Sequence, residues 1–96
     1  MIEVKSSAEF DHWIDTLRDR RAAAKIFARI QRLERGNPGN VKPVGGGISE
    51  MKIDFGPGYR VYYMHKEKTI VLLLCGGDKS TQAKDIQHAT QIAAKW

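Results

Sequence analysis

Apolar and polar residues alternate with a period of two from Glu50 to Phe55 and again from Tyr59 to Met64. Met51, Ile53 and Phe55 share one side of the first run, and Tyr59, Val61 and Tyr63 one side of the second. That period belongs to strands covered on one face. Gly56-Pro57-Gly58 between the runs is a turn signal, so a hairpin is expected. A three-residue loop pairs Phe55 with Tyr59, Ile53 with Val61 and Met51 with Tyr63. Lys52 then falls opposite Tyr62, and Asp54 opposite Arg60, on the other face. A slip of one residue would send Lys52 and Arg60 to different faces. Ile70 to Cys75 is apolar at every position and reads as a central strand.

Upstream, Ile2 to Lys5 alternates as a short first strand. Ser6-Ser7-Ala8-Glu9 has the form of a capping box, with Ser6 as N-cap and Glu9 reaching back. Phe10, Trp13, Ile14 and Leu17 then recur at helical spacing. Asp19 can cap a second helix over about 20–35, whose apolar stripe is Ala22, Ala23, Ile26, Ile30 and Leu33. Its opposite surface is basic: Arg20, Arg21, Lys25, Arg29, Arg32 and Arg35. Gly36 and the Asn37-Pro38-Gly39-Asn40 cluster end it. Residues 41–47 read as a loop whose three glycines allow a close backbone approach. The loop lacks the Gly-Lys-Ser/Thr ending of a nucleotide-phosphate loop and precedes a strand instead of a helix. After Gly76-Gly77-Asp78, Ser80 or Thr81 can cap a last helix with Ala83, Ile86, Ala89, Ile92, Ala93 and Trp96 as its stripe. The order β-α-α-β-β-β-α predicts an α+β fold: a mainly antiparallel four-stranded sheet with a helical hairpin on one face. Residues 1–96 are expected to form one domain, without repeats or linkers.

Charge narrows the picture. Sixteen Lys and Arg against eleven Asp and Glu give +5. In so small a chain this favours polyanionic partners: nucleic acid, the ribosome or an acidic protein. The lone Cys75 excludes a disulfide framework and suits a reducing cytosol as a buried small hydrophobe. Glu3, Lys5, Glu9 and Asp11 leave no room for a secretory segment, and no apolar run approaches the roughly 18 residues of a membrane span, so a cytoplasmic protein with no membrane partner is expected. His12, His65 and His88 fall on separate elements, without metal-ligand spacing. No nucleophile elbow or Cys-His arrangement is present. Neither a metal nor a small-molecule cofactor is expected.

With the helices on one face, Lys52, Asp54, Arg60 and Tyr62 should face out. Lys42 can reach in from the glycine loop and Lys79 from the loop after the central strand. Several cations around a sheet suit a phosphodiester, since Arg grips phosphate with two donors and Lys places a point charge. Such cations stabilise the charge that develops in phosphoryl transfer. RNA brings its own nucleophile, the 2′-hydroxyl, so the chemistry requires no metal in principle. A plainer reading stands beside this one: Asp54 and Arg60 as a cross-strand ion pair, Tyr62 as a packing residue and the basic helix as a solvated face. No helix-turn-helix, RNP or zinc-finger signature supports a DNA-binding role for that helix.

Two stretches carry a resemblance. Gly39 to Tyr63, through Gly45-Gly46-Gly47-Ile48-Ser49-Glu50-Met51-Lys52-Ile53-Asp54-Phe55 and Tyr59-Arg60-Val61-Tyr62-Tyr63, is similar to the addiction-module killer proteins. These are small toxins of the RelE/ParE superfamily, near its HigB-type branch. Leu73 to Gln82, followed by Asp85-Ile86, resembles the second signature of that subfamily. The resemblance covers nearly the whole chain. It implies a toxin held by a cognate antitoxin, acting on mRNA in the ribosome as an endoribonuclease. The implied products are a 2′,3′-cyclic phosphate and a 5′-hydroxyl. Arg60 would hold the scissile phosphate. Lys52 would stabilise charge or protonate the leaving oxygen, and Lys79 lies in a loop that often carries a further active-site group. These three are the implied catalytic residues, with Lys42, Asp54, Tyr62 and Asp78 as RNA- or phosphate-binding neighbours. Two other activities stay open: poisoning of DNA gyrase, as in the ParE branch, and antitoxin binding without chemistry. One departure concerns the C-terminus, where RelE-type nucleases place a catalytic Tyr or His. Here the last helix offers only His88, spaced as a surface residue.

Overall fold

The computed structural model describes residues 1–96. Its elements are β1 (Glu3–Ser6), α1 (Ala8–Thr16), α2 (Arg20–Glu34), β2 (Val41–Gly45), β3 (Ile48–Ile53), β4 (Tyr59–Glu67), β5 (Ile70–Asp78), a 3-10 turn (Lys79–Thr81) and α3 (Gln82–Ala94). The class is α+β, as expected, but the sheet has five strands in the order β1-β5-β4-β3-β2. It is mixed: β1 runs parallel to β5, and the other three contacts are antiparallel.

The additional strand, β2, is the stretch read as a loop. Pro43 and the glycines argue against a strand in the middle of a sheet, but β2 is an edge, where a missing N–H is tolerated. The ladder breaks between Pro43 and Gly45. Gly45, Gly46 and Gly47 then turn the chain at φ of 103°, 62° and 79°, a region that residues with a Cβ rarely enter.

The hairpin forms, with its register moved by two. β3 ends at Ile53 and β4 begins at Tyr59, so the loop spans five residues instead of three. Gly58 N–H bonds Phe55 C=O inside it. Ile53 pairs with Tyr59, Lys52 with Arg60, Met51 with Val61 and Glu50 with Tyr62. A shift of two keeps every residue on its face, so the parity survives while the cross-strand partners change. Asp54 is therefore in the turn and not opposite Arg60.

Helix entry differs by one residue from the expected cap. β1 still pairs with β5 at Ser6, so α1 starts one residue later. Ser7 is its N-cap: the Oγ accepts from Phe10 N–H at 3.0 Å and donates to Leu74 C=O at 2.6 Å. That fully buried hydroxyl ties α1 to β5. Asp19 caps α2 as expected, accepting from Arg21 and Ala22 N–H.

The helices do not all lie on one face. α1 and α2 cover Met51, Ile53, Val61, Tyr63, Val71 and Leu73 with Phe10, Ile14, Ala23, Ile26, Ile30 and Leu33. α3 covers the reverse of the sheet, packing Ala89 and Ile92 on Ile48, Tyr62, Leu72, Leu74 and Cys75. The cause lies in β5: a strand apolar on both faces loses its hydrophobic stabilisation unless both are covered. Complete burial of Ile92, Leu72 and Leu74 contributes about 1.5–3 kcal/mol each. Trp96, expected in the stripe of α3, is exposed beyond the helix end.

Two glycines let the helices close on β5. A Cβ on Gly76 would lie 2.3 Å from the Trp13 ring, and one on Gly77 1.8 Å from Asp85 Oδ2. The first contact belongs to α1 and the second to α3. No helix is long and apolar enough to cross a membrane.

Candidate functional site

α3 covers only part of its face. On β3 and β4 the pairs Ile48–Met64, Glu50–Tyr62 and Lys52–Arg60 point the same way, and Lys42 of β2 joins Glu50. Ile48 and Tyr62 lie under the helix, whose first residue, Gln82, reaches Glu50. Beyond that residue the face opens. Asn40, Lys42, Glu50, Lys52 and Arg60 line a cleft of about 240 Å³ there, with no apolar residue in its wall.

Glu50 is the hub of this cleft and was not singled out from the sequence. It is buried. Oε2 accepts from Gln82 Nε2 at 2.8 Å and from the Tyr62 hydroxyl at 3.2 Å. Oε1 faces Arg60 Nε at 3.6 Å and Lys42 Nζ at 3.8 Å. The available signal was its place in the β3 alternation, on the same face as Lys52, Arg60 and Tyr62. A carboxylate on a strand face with three cations and a phenol has reason to be retained there, because a buried charge needs partners.

Arg60 is buried as well, not out on a solvent face. Its Nη1 donates to Gly58 C=O at 2.7 Å. Its Nε, 3.6 Å from Glu50, lies beyond hydrogen-bond range and has no other partner. The guanidinium is thus held in place, with Nε buried against Glu50, and the residue still lines the cleft. Gly58, at φ 82°, brings the backbone to it: a Cβ there would lie 3.3 Å from Nη1.

Tyr62 also differs from its expected place. It is fully buried, and burial together with the Glu50 carboxylate pushes its hydroxyl well above the usual phenol range. A neutral phenol there donates to Glu50 and holds that carboxylate in place. Asp54 is exposed in the turn and pairs with Lys52 at 3.8 Å. Lys42, Lys52 and Arg60 come together in the cleft. Lys79 is not among the residues that line it; its Cβ lies 3.8 Å from where a Cβ on Gly58 would be. Asp78 opens the 3-10 turn, accepting from Ser80 N–H at 2.8 Å, and the bonds from the Ser80 hydroxyl and N–H hold its carboxyl below the usual range. His88 lines a separate depression with Lys84, Asp85, Gln87 and Gln91 and does not reach the cleft.

Arg29 was expected on the solvated face of α2 and is half-buried. Nη1 donates to Lys52 C=O at 2.6 Å, and Nη2 to Pro38 C=O at 3.0 Å and Asn40 C=O at 3.3 Å. Lys52 and Asn40 are both cleft residues, so Arg29 fixes one rim of the cleft to α2.

The family model described as "Phage derived protein Gp49-like (DUF891)" matches residues 12–95. An uncharacterised protein of Haemophilus influenzae is 52% identical over 92 residues, covering 96% of this chain and 93% of the relative.

Proposed function

Since this chain belongs to the phage-derived Gp49-like family, we propose that it is the toxin of a toxin–antitoxin module and that it cuts RNA in its cationic cleft. The association of this family with toxin–antitoxin toxins supports the first part. The second rests on one observation: a guanidinium fixed on Gly58 and flanked by Lys42 and Lys52, in a cleft walled only by polar side chains.

In this reading Arg60 grips the scissile phosphate, and Lys42 and Lys52 offset the charge that builds on its oxygens. The 2′-oxygen attacks the neighbouring phosphorus and the bond to the 5′-oxygen breaks. A 2′,3′-cyclic phosphate and a 5′-hydroxyl remain. Among the residues lining the cleft, Glu50 alone carries a carboxylate to take the 2′-hydroxyl proton, and Lys52 is placed to return one to the departing oxygen. Lys79 and Asp78 border the strand next to the cut, and Asp54 steers Lys52. An antitoxin with an acidic segment would silence the cleft by occupying it.

Primer extension on a defined mRNA, with the purified protein and with or without translating ribosomes, tests this. Codon-phased cuts that require ribosomes are expected. Arg60→Lys keeps the charge and loses the two-donor grip, and should slow cutting roughly a hundredfold. An intact message in both lanes overturns the nuclease reading. An Arg60→Lys protein that cuts at the parent rate removes Arg60 from the site.

A further inference from the structure

α2 carries more positive charge than the cleft uses. Arg21, Lys25 and Arg32 are exposed and enter no ion pair; the four ion pairs of the molecule involve Lys5, Lys42, Lys52 and Arg60. At about 100° per residue, Arg21, Arg32, Lys25 and Arg29 fall within an arc of about 80° along one flank of the helix. The stripe is about 16 Å long at about 1.5 Å per residue. Arg21 and Lys25 lie over the Phe55 ring at 5.9 and 5.1 Å, which holds them beside the β3–β4 turn. Arg29 joins the stripe to the cleft through the carbonyls of Asn40 and Lys52. Its own pKa is lowered by burial and then by the charge of Arg32, with Tyr63 and Asp54 opposing the fall, so Arg29 and Arg32 repel each other within the stripe.

We infer that the Arg21–Lys25–Arg32 stripe of α2 is a second RNA-backbone contact, continuous with the cleft across the Asn40–Lys52 rim. This rests on the reading of the cleft as an RNA site. The class of ligand follows from the make-up of the stripe, whose one aromatic, Phe55, is half-buried beneath Arg21 and Lys25. Phe27, the exposed aromatic of α2, lies about 200° from Lys25, on the other flank, beside β1 and α1. Protein interfaces concentrate their energy in buried aromatic and apolar anchors, whereas affinity for a nucleic-acid backbone comes chiefly from cations. One strand of a duplex places a phosphate about every 3.4 Å along its axis, so 16 Å lets each of the three cations meet its own phosphate.

Fluorescence anisotropy of a labelled single-stranded RNA, titrated with the full chain over a range of salt concentrations, tests the stripe without any cleavage. Neutralising all three as R21Q/K25Q/R32Q removes about 0.7 from the salt slope per lost contact, or about 2 in all. Affinity at about 0.1 M salt falls roughly a hundredfold. K68Q/K84Q/K95Q, an equal charge loss elsewhere on the surface, should leave the slope near that of the parent. R21K/R32K should also keep it, which separates charge from any packing role over Phe55. Equal slopes for the stripe and control triples overturn the inference and leave the stripe to an acidic protein segment. A parent that does not bind the RNA overturns it too. Codon-phased cutting with an unchanged slope defeats the stripe and spares the nuclease; a stripe-dependent slope with no cutting anywhere does the reverse.

Discussion

The two faces of this sheet come from the same strands and differ in what covers them. On one face two helices, α1 and α2, shelter an apolar set from Phe10 to Leu73. On the other, α3 alone covers Ile48, Tyr62, Leu72 and Leu74 and stops where its first residue meets Glu50. The first face is covered along β3, β4 and β5, and its residues are held by packing. The second is apolar under the helix and ionic beyond it, and the cleft lies on that boundary. Partial cover buries Glu50 and Arg60 enough to hold them while both still line the cleft.

Ile53→Asp should separate the faces most sharply. It sets a carboxylate into the apolar set under α2, and a loss of about 4 kcal/mol or more is expected. Circular dichroism should show no cooperative melt at 25 °C. A melt like the parent's would mean that this face is not closed.

A smaller, more local contrast lies in the two adjacent glycines. Gly77→Ala drives a methyl into the Asp85 carboxylate and should lift the start of α3, at roughly 2–3 kcal/mol. Gly76→Ala meets the Trp13 ring and should disturb α1 instead. Adding Asp85→Ala should recover most of the Gly77→Ala loss and none of the Gly76→Ala loss, read from chemical denaturation midpoints. Equal recovery in both would join what the structure keeps on separate faces.

Much of the closed face was legible, because period two and helical spacing report directly on burial. Met51, Ile53, Val61 and Tyr63 pair differently from expectation, yet each keeps its face, since an error of two residues leaves parity intact. The half-open face was harder. The stripe of α3 shows that the helix packs, but not on which side. The doubly apolar β5 carried that information: Leu72 and Leu74 on one side and Val71 and Leu73 on the other both demand cover. Reading all helices onto one side left Arg60 and Tyr62 in solvent, and Glu50 then looked like an ordinary polar strand residue. The parallel pairing of β1 was not legible either, because pairing between distant segments leaves no local mark. Pro43 hid β2, since edge position is a property of the sheet and not of the five residues.

The smallest expected effect is a matter of pH, and it again sets one face against the other. Burial, then the charges of Asp85 and Glu9, push the Cys75 thiol from its ordinary 9.0 up to about 12. Tyr62, beside it on the α3 face, is raised by burial and then by Glu50. Tyr63, on the closed face, is also raised by burial, with a bond from Ser49 and the charge of Arg29 opposing the rise. For each group the folded chain keeps a proton that the unfolded chain has shed. The stability they contribute is therefore complete below pH 9.0 and declines as pH climbs from 9.0 towards 12. Melting temperature should fall across that window, by about 4–8 °C for each 1 kcal/mol lost. In Cys75→Ala/Tyr62→Phe the alkaline fall should be clearly shallower than in the parent, whatever its melting temperature at pH 7. Tyr63→Phe should flatten it less, because a nearby cation already favours the phenolate there. If Tyr63→Phe flattens the fall as much as the double variant, the α3 face is no drier than the other. Its apolar half would then be as open to water as the cleft beside it, and the boundary that holds Glu50 and Arg60 in place would have to be drawn elsewhere.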